Sequence, residues 1–332
     1  MKVLLIGGTR FIGRAVVEQL LEKGHEVALF HRGMTDSDQP VVNILGDRKN
    51  LADYKHQFNS FRPDVILDMI PMTQSDAQGL LSVAQGITNR IVALSSMDVY
   101  KAFGRIVGIE GGEPENGIID EKSDVRENLF LYKDVEGRGD YEKILYEKEL
   151  MRNIDFQSTI LRLPVVYGPY DYQHRALEYI RRMKDNRPAI FLDEGYGYWK
   201  WTKGFVGNVA AGIVKAVEKP LPESRIFNIG EAHTRSNKEW IEDIGKVYGW
   251  NGEVINVKAD LLDESQRANI NTDQLLVVDS SLIRKELGYA EPVSYEKGLQ
   301  KTIEWELEHS LKDSEPYDYS QEDELMRKLS IS

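Results

Sequence analysis

Cysteine is absent from the 332-residue chain, which removes disulfides, thiolate metal sites and cysteine nucleophiles together. Excess positive charge is absent as well: 54 Asp and Glu face 42 Lys and Arg, a formal net charge of −12. Nucleic-acid binders concentrate Lys and Arg against phosphates, so this balance argues against such a partner. Long apolar runs are missing. Val3-Leu4-Leu5-Ile6 stops at Gly7-Gly8, too short for a signal-peptide core. No stretch reaches the ~20 residues that span a bilayer. The cytoplasm is the simplest expected location, with no membrane partner. The 6 histidines show no metal-ligand spacing, so no metal is expected. A Walker loop, a G-x-S-x-G elbow and an H-E-x-x-H helix are also missing.

What is present is an alternation. Short β-branched runs at Lys2-Ile6, Glu26-His31, Val42-Leu45, Val65-Met69, Arg90-Leu94 and Ser158-Leu161 alternate with amphipathic stretches. All but the third are nearly continuous in apolar or β-branched residues, as strands covered on both faces should be. Ile12, Val16 and Leu20 recur at helical spacing, and Gly24 supplies a stop. The pattern implies an α/β fold: a Rossmann-type doubly wound parallel sheet with a smaller, discontinuous C-terminal substrate lobe. The expected division is 1–168, with 205–230 returning to it, then 169–204 and 231–310 as the lobe. Residues 311–332, rich in Asp, Glu, Ser and Tyr, are expected as a loosely held tail with a short helix at Glu322-Leu329.

Gly7-Gly8-Thr9-Arg10-Phe11-Ile12-Gly13 follows the first strand and opens a helix. In that context Gly7 permits the tight turn, Gly13 permits close packing, and the helix start offers N–H groups to a pyrophosphate. The segment resembles the glycine loop of extended short-chain dehydrogenases/reductases, the family of NAD(P)-dependent epimerases and dehydratases, in its divergent, atypical form. The family loop reads G-x-x-G-x-x-G, and Arg10 stands at the middle glycine. Arg10 is then available to cross the pyrophosphate or to reach a 2′-phosphate.

The second strand ends Phe30-His31-Arg32-Gly33, with no carboxylate for a ribose diol. Arg32 would attract a 2′-phosphate, which favours NADP over NAD. By resemblance, Asp47 of Gly46-Asp47-Arg48 caps the adenine amino group with Arg48 beside it, and Met69 and Ile70 run along the adenine ribose. Pro164 and Val166, in Leu161-Arg162-Leu163-Pro164-Val165-Val166-Tyr167-Gly168-Pro169, match the stretch that passes the nicotinamide amide.

The resemblance also implies a serine, a tyrosine and a lysine at the reacting centre. Ser96, in Leu94-Ser95-Ser96-Met97-Asp98-Val99-Tyr100, falls at the serine position. Lys143 and Glu147 match the family's K-x-x-x-E, which places Gly139 where the tyrosine of Tyr-x-x-x-Lys belongs. Tyr141 is then the candidate acid–base group. Residues two apart on a helix diverge, so Tyr141 and Lys143 converge only if Tyr141 precedes the first regular turn. Tyr100 and Tyr132 are other candidate proton donors. The stretch from Tyr100 to Lys143 is long for the family, which implies extra loop over the mouth of the site. Tyr170, Tyr172, Arg175, Tyr196, Tyr198, Trp199 and Trp201 form an aromatic and Arg-rich set suited to stacking on a substrate ring or to core packing.

The resulting expectation is an NAD(P)-dependent oxidoreductase, epimerase or dehydratase of a sugar-like, nucleotide-linked small molecule, with a homodimer left open. Two alternatives stand beside it. The broken Tyr-x-x-x-Lys suits an NADP(H)-binding sensor or regulatory module without turnover. Some plastid relatives with this loop associate with RNA, an alternative the net charge opposes.

Overall fold

The computed structural model describes residues 1–35 and 39–331. The first half runs β1 (Lys2–Ile6), α1 (Phe11–Glu22), β2 (Glu26–His31), β3 (Val42–Leu45), α2 (Lys55–Phe61), β4 (Val65–Asp68), α3 (Gln74–Ala84), β5 (Arg90–Ser96), α4 (Lys101–Ile106), α5 (Lys143–Arg152) and β6 (Gln157–Leu163). The second half runs β7 (Val165–Tyr167), α6 (Leu177–Lys184), β8 (Ala189–Asp193), α7 (Glu194–Tyr198), β9 (Lys203–Phe205), α8 (Val206–Glu218), β10 (Arg225–Asn228), α9 (Asn237–Tyr248), β11 (Glu253–Val257), α10 (Ser281–Leu287), α11 (Tyr295–His309) and α12 (Ser320–Leu329).

A parallel sheet in the order β10-β6-β5-β4-β1-β2-β3 forms the core. Leu4 of β1 pairs with Ala28 on one side and Ile66 on the other. The period-2 rule divides β1 between two cores. Val3 and Leu5 pack with Val16, Val17 and Leu20 of α1 and Val209, Ile213 and Val217 of α8. Leu4 and Ile6 pack with Phe58, Leu80, Val83, Tyr146 and Leu150 of α2, α3 and α5. Helices on both faces explain why these strands read as unbroken apolar runs. β3 is the edge strand, and only Ile44 of it is buried, which explains its weaker pattern. Strand order reverses beside β1, so a crevice opens at the C-terminal ends of β1 and β4.

β10 pairs with β6 and extends the main sheet. Outside that sheet, β8 pairs with β11, and β7 pairs with β9. The extra loop between α4 and α5 is pinned to both halves. The Arg126 amide donates to Val99 O at 2.8 Å and the Ile119 amide to Val277 O at 2.9 Å. Ile119 joins Tyr100, Phe103, Trp199, Leu276 and Val278 in a separate apolar cluster.

The tail differs from the expectation. It is not loosely held: α12 buries Leu325 against Val257 and Leu262. Buried Glu322 pairs with Arg182 at 2.7 Å, and Asp323 pairs with Arg187. Tyr319 lies 4.5 Å from the Arg187 guanidinium and donates its hydroxyl to Asp185 at 2.7 Å. The acids and tyrosines that suggested a solvated tail are the partners of an arginine cluster on α6 and the turn after it. Ser332 lies outside the described residues.

Candidate active site

The phosphate loop sits at the C-terminal end of β1. Gly7 has φ +86° and Gly8 φ +108°, the left-handed region glycine tolerates. A Cβ on Gly13 would stand 2.3 Å from Gly8 Cα, so loop and helix touch backbone to backbone. Arg10 is the residue before the first turn of α1. It forms no side-chain cap, and that turn carries no acid. α3 and α9 instead open with reciprocal caps, Thr73 with Asp76 and Ser236 with Glu239. The positive end of α1 thus carries neither a side-chain cap nor an acid. Phe11 holds φ +38°, a strained value for a side-chain-bearing residue, at the same turn. Ile12 packs partly into the core below it. Thr9 is tied to Thr35 by a 2.8 Å hydroxyl–hydroxyl bond, which links the loop to the segment after β2.

The adenine side is more closed. Asp47 caps the short turn that follows it by accepting from the Lys49 amide at 2.9 Å. Arg48 holds Asp68 through two bonds of 2.7 Å, the Ile70 carbonyl at 2.7 Å and Asp76 at 2.9 Å. Its guanidinium is thereby engaged within the protein. Tyr146 adds a 2.8 Å bond to Asp68. Met69 packs against the core, while Ile70 is exposed and lies over Gly7. Arg32 is exposed and forms no hydrogen bond or ion pair among the described residues.

Ser96 ends β5 and Lys143 begins α5; Lys143 reaches the Leu94 carbonyl of β5, and Tyr141 bonds Asp98, two residues beyond Ser96. Lys143 is the first residue of α5, and Glu142, at φ −156°, precedes the helix. Tyr141 therefore stands outside the regular turn, and its ring lies 5.8 Å from Lys143 Nζ. Glu142 fixes this entry. Its fully buried carboxylate accepts from Arg126 at 3.0 and 3.2 Å, from the Phe130 amide at 2.7 Å and from the Ile144 amide at 3.0 Å. Lys143 Nζ donates to the Pro71 and Leu94 carbonyls, each at 2.9 Å. An ammonium has three N–H bonds, so one remains for a ribose hydroxyl. Ser96 Oγ accepts from the Asp98 amide at 3.2 Å, and its hydroxyl donates no hydrogen bond among the described residues. Pro164 and Val166 are buried beyond β6.

Asp98, which the motif comparison passed over, accepts from the Tyr141 hydroxyl at 2.7 Å through Oδ2. Its Oδ1 is buried without a partner. Burial raises the Asp98 carboxyl above the usual range, although Tyr141, Lys143 and Arg126 oppose the shift. Burial lowers Lys143, against the pull of Asp98, Asp68 and Glu147. Burial and then Asp98 push the Tyr141 phenol well up. Tyr100 is not in the site. Its hydroxyl is held by Asn228 at 2.6 Å, and burial pushes it up to about 12. Tyr132 stands edge-on to Tyr141 at 5.2 Å.

The family model for the NAD dependent epimerase/dehydratase family matches residues 3–105 and 142–230. The chain belongs to that family. The matched regions carry the glycine loop, Ser96 and Lys143, and the gap between them is the extra loop that supplies Arg126, Tyr132 and Tyr141. Among curated relatives, the chloroplast stem-loop binding protein of 41 kDa b from Arabidopsis thaliana is 25% identical over 243 residues, 69% of this chain and 58% of that one. This chain thus spans little more than half of that relative. The dTDP-glucose 4,6-dehydratase of Streptomyces griseus is 23% identical, covering 86% of this chain and 80% of that one. The solved UDP-glucose 4-epimerase from Bifidobacterium longum, in complex with NAD+ and UDP, has a TM-score of 0.67 at 17% identity, covering 93% of this chain and 99% of that one. That likeness concerns the fold.

Within the family frame the aromatic set divides. Trp199 is core: it is buried and donates to the Gln274 carbonyl at 2.8 Å. Trp201 packs at 4.9 Å from Trp199, and Tyr196 at 6.2 Å. Tyr170, Tyr172 and Tyr198 are exposed, and Arg175 is paired with Asp171 at 2.7 Å. Tyr172 meets Phe11 edge-on, and the Arg14 guanidinium lies 4.6 Å from the Tyr170 ring, so this segment borders the phosphate loop. No metal-binding group occurs among the described residues, and none of their helices is long and apolar enough to cross a membrane. The signal for Asp98 was present, two residues beyond Ser96. Arg126 had none, because its partner Glu142 lies across an irregular loop.

Proposed function

We propose that the protein is an NAD(P)-dependent enzyme acting on a sugar or sugar nucleotide, as an oxidoreductase, epimerase or dehydratase. One observation carries this: the open start of α1 and the Ser96–Tyr141–Lys143 group lie at C-terminal strand ends of one sheet. The glycine loop and α1 would hold the diphosphate, with Thr9, Arg10, Phe11 and Ile12 around it. Asp47, Met69 and Ile70 would border the adenosine. Arg48 would support that wall from behind through Asp68. Lys143 would hold the nicotinamide ribose, and Pro164 and Val166 would flank the nicotinamide. The bound nicotinamide supplies a hydride acceptor or donor. Ser96 would orient the substrate oxygen, and Tyr141 would move its proton.

The dehydratase and epimerase relatives support the substrate class, and the exposed Tyr170 and Tyr172 offer faces for a ring. Exposed Arg32, at the end of β2, supports NADP over NAD. Calorimetry with NAD(H) and NADP(H), followed by turnover assays on UDP- and dTDP-linked hexoses, tests the proposal. Micromolar binding of one dinucleotide and conversion of a hexose nucleotide are expected; no heat with either dinucleotide overturns it. Arg32→Ala should weaken NADP(H) about tenfold and leave NAD(H) unchanged.

A further inference from the structure

We infer that Asp98 and Tyr141 work as one acid–base pair, the tyrosine hydroxyl meeting the substrate and the carboxylate storing the proton. The inference rests on the proposed oxidoreductive site and adds a proton path to it. In a tyrosine–lysine pair, the cation stabilises an ionised phenol. The geometry here does not favour that state. Lys143 Nζ spends two of its donors on the Pro71 and Leu94 carbonyls, and it stands 5.8 Å from the Tyr141 ring centroid. The Tyr141 hydroxyl points instead at Asp98 Oδ2, 2.7 Å away. A carboxylate acceptor favours the neutral phenol, so the negative charge belongs to Asp98 and not to the tyrosine.

Asp98 is faced by groups from the entry to α5 and from the extra loop. Tyr141 and Glu142 approach from the entry to α5, and Lys143 from its first turn. From the extra loop, Tyr132 stands against Tyr141, and Arg126 Nε donates to the Asp98 carbonyl at 2.6 Å. The Arg126 guanidinium is otherwise bound to Glu142, so it fixes the backbone of Asp98 without covering the carboxylate. Lys143 is a nearby positive charge that opposes, without reversing, the rise that burial imposes on Asp98, so this carboxyl takes up a proton more readily than an ordinary one. Its Oδ1 is buried and accepts no hydrogen bond among the described residues.

The proton transfer balances. The substrate O–H bond breaks as its proton moves to Tyr141 Oη. The original tyrosine O–H bond breaks as that proton moves to Asp98 Oδ2. The tyrosine ends neutral and the carboxyl ends protonated; a nicotinamide bound beside Lys143 would supply the hydride acceptor that lets the substrate C–O become a carbonyl. Reduction runs the same path in reverse. Tyr141 lies in the segment that the family match omits, so the extra loop supplies the phenol while the matched core supplies Asp98 and Lys143. Asp98 acts through Tyr141 and is a positioning residue that also takes the proton.

An absorbance titration of phenolate in the ligand-free protein tests the pair without cofactor or substrate. The Tyr141 signal is isolated by subtracting Tyr141→Phe in each background. In the native chain Tyr141 should not ionise before alkaline unfolding. In Asp98→Asn its titration should move down by at least about one pH unit, because the carboxylate that opposes ionisation is removed while burial remains. In turnover, Asp98→Asn should lower kcat about a hundredfold, remove the carboxylate limb of the kcat pH profile and leave KM within about twofold, with partial recovery in Asp98→Glu. Tyr141→Phe gives a second handle, with retained dinucleotide affinity and a similar loss of kcat. Titration of Tyr141 at one pH in both backgrounds, or full kcat with an unchanged pH profile in Asp98→Asn, overturns the inference.

Discussion

Two helices begin at the candidate site, and they begin in opposite ways. α1 has no side-chain cap, no acid in its first turn and a glycine loop that folds back on it. α5 opens on buried Glu142, whose carboxylate is bound by Arg126, Phe130 N–H and Ile144 N–H. The first start lacks a cap of its own, and we propose that an anion from outside takes that place. The second satisfies its own groups and uses the rigidity to aim Tyr141 and Lys143. A helix start can thus be a binding site or a mount, and the capping residues decide which.

The largest break in this comparison should come from the mount. Glu142→Ala leaves Arg126 as an unpaired buried cation, and chemical denaturation should show a loss of about 3–5 kcal/mol. The double replacement Arg126→Met with Glu142→Leu should recover most of that stability while kcat stays low, because Tyr141 loses its placement. On the open start, Gly13→Val drives a side chain into Gly8. It should cost about 1–3 kcal/mol and abolish measurable dinucleotide binding in calorimetry.

Lys203 extends the comparison to α9, where its Nζ donates to Asn237, the first residue of that helix, at 2.9 Å. Burial lowers Lys203 to about 8 from the ordinary 10.5. The unfolded chain holds this proton more tightly, so the residue destabilises the fold below about pH 8. That cost is relieved as pH rises towards the ordinary lysine value. Lys203→Met should raise stability at neutral pH by about 1–2 kcal/mol and flatten its rise across that window in pH-dependent melts. The smallest and most diagnostic change is Arg10→Asp. It gives α1 the cap it lacks, which should stabilise the fold by about 0.5–1 kcal/mol, yet the new carboxylate should weaken dinucleotide binding severalfold. Equal signs in the melt and the binding curve would contradict the contrast between the two starts.

The strands of the main sheet were legible because both faces of each are buried, which leaves a run of apolar residues in a local window. The glycine loop was legible because its constraint is local: Gly13 must be glycine to touch Gly8. The family pattern singled out Ser96 and Lys143, which the structure places at the end of β5 and the start of α5. The position of Tyr141 was legible only as a condition, that the helix start after it, since helix entry depends on Glu142 and its distant partner. Arg48 shows the reverse failure. Its place beside Asp47 suggested a ligand, whereas the structure bonds it to Asp68, twenty residues away in the chain.

By itself the sequence determined the parallel sheet and the glycine loop, because these follow from periodicity and from steric needs within a few residues, and its motifs determined the family. Tertiary structure decided which tyrosine reaches the lysine, that Asp98 receives its hydroxyl, and that the acidic tail is docked. Those outcomes depend on charges buried together from separate segments, and the strength of each pair is set by the low-dielectric surroundings that only folding creates.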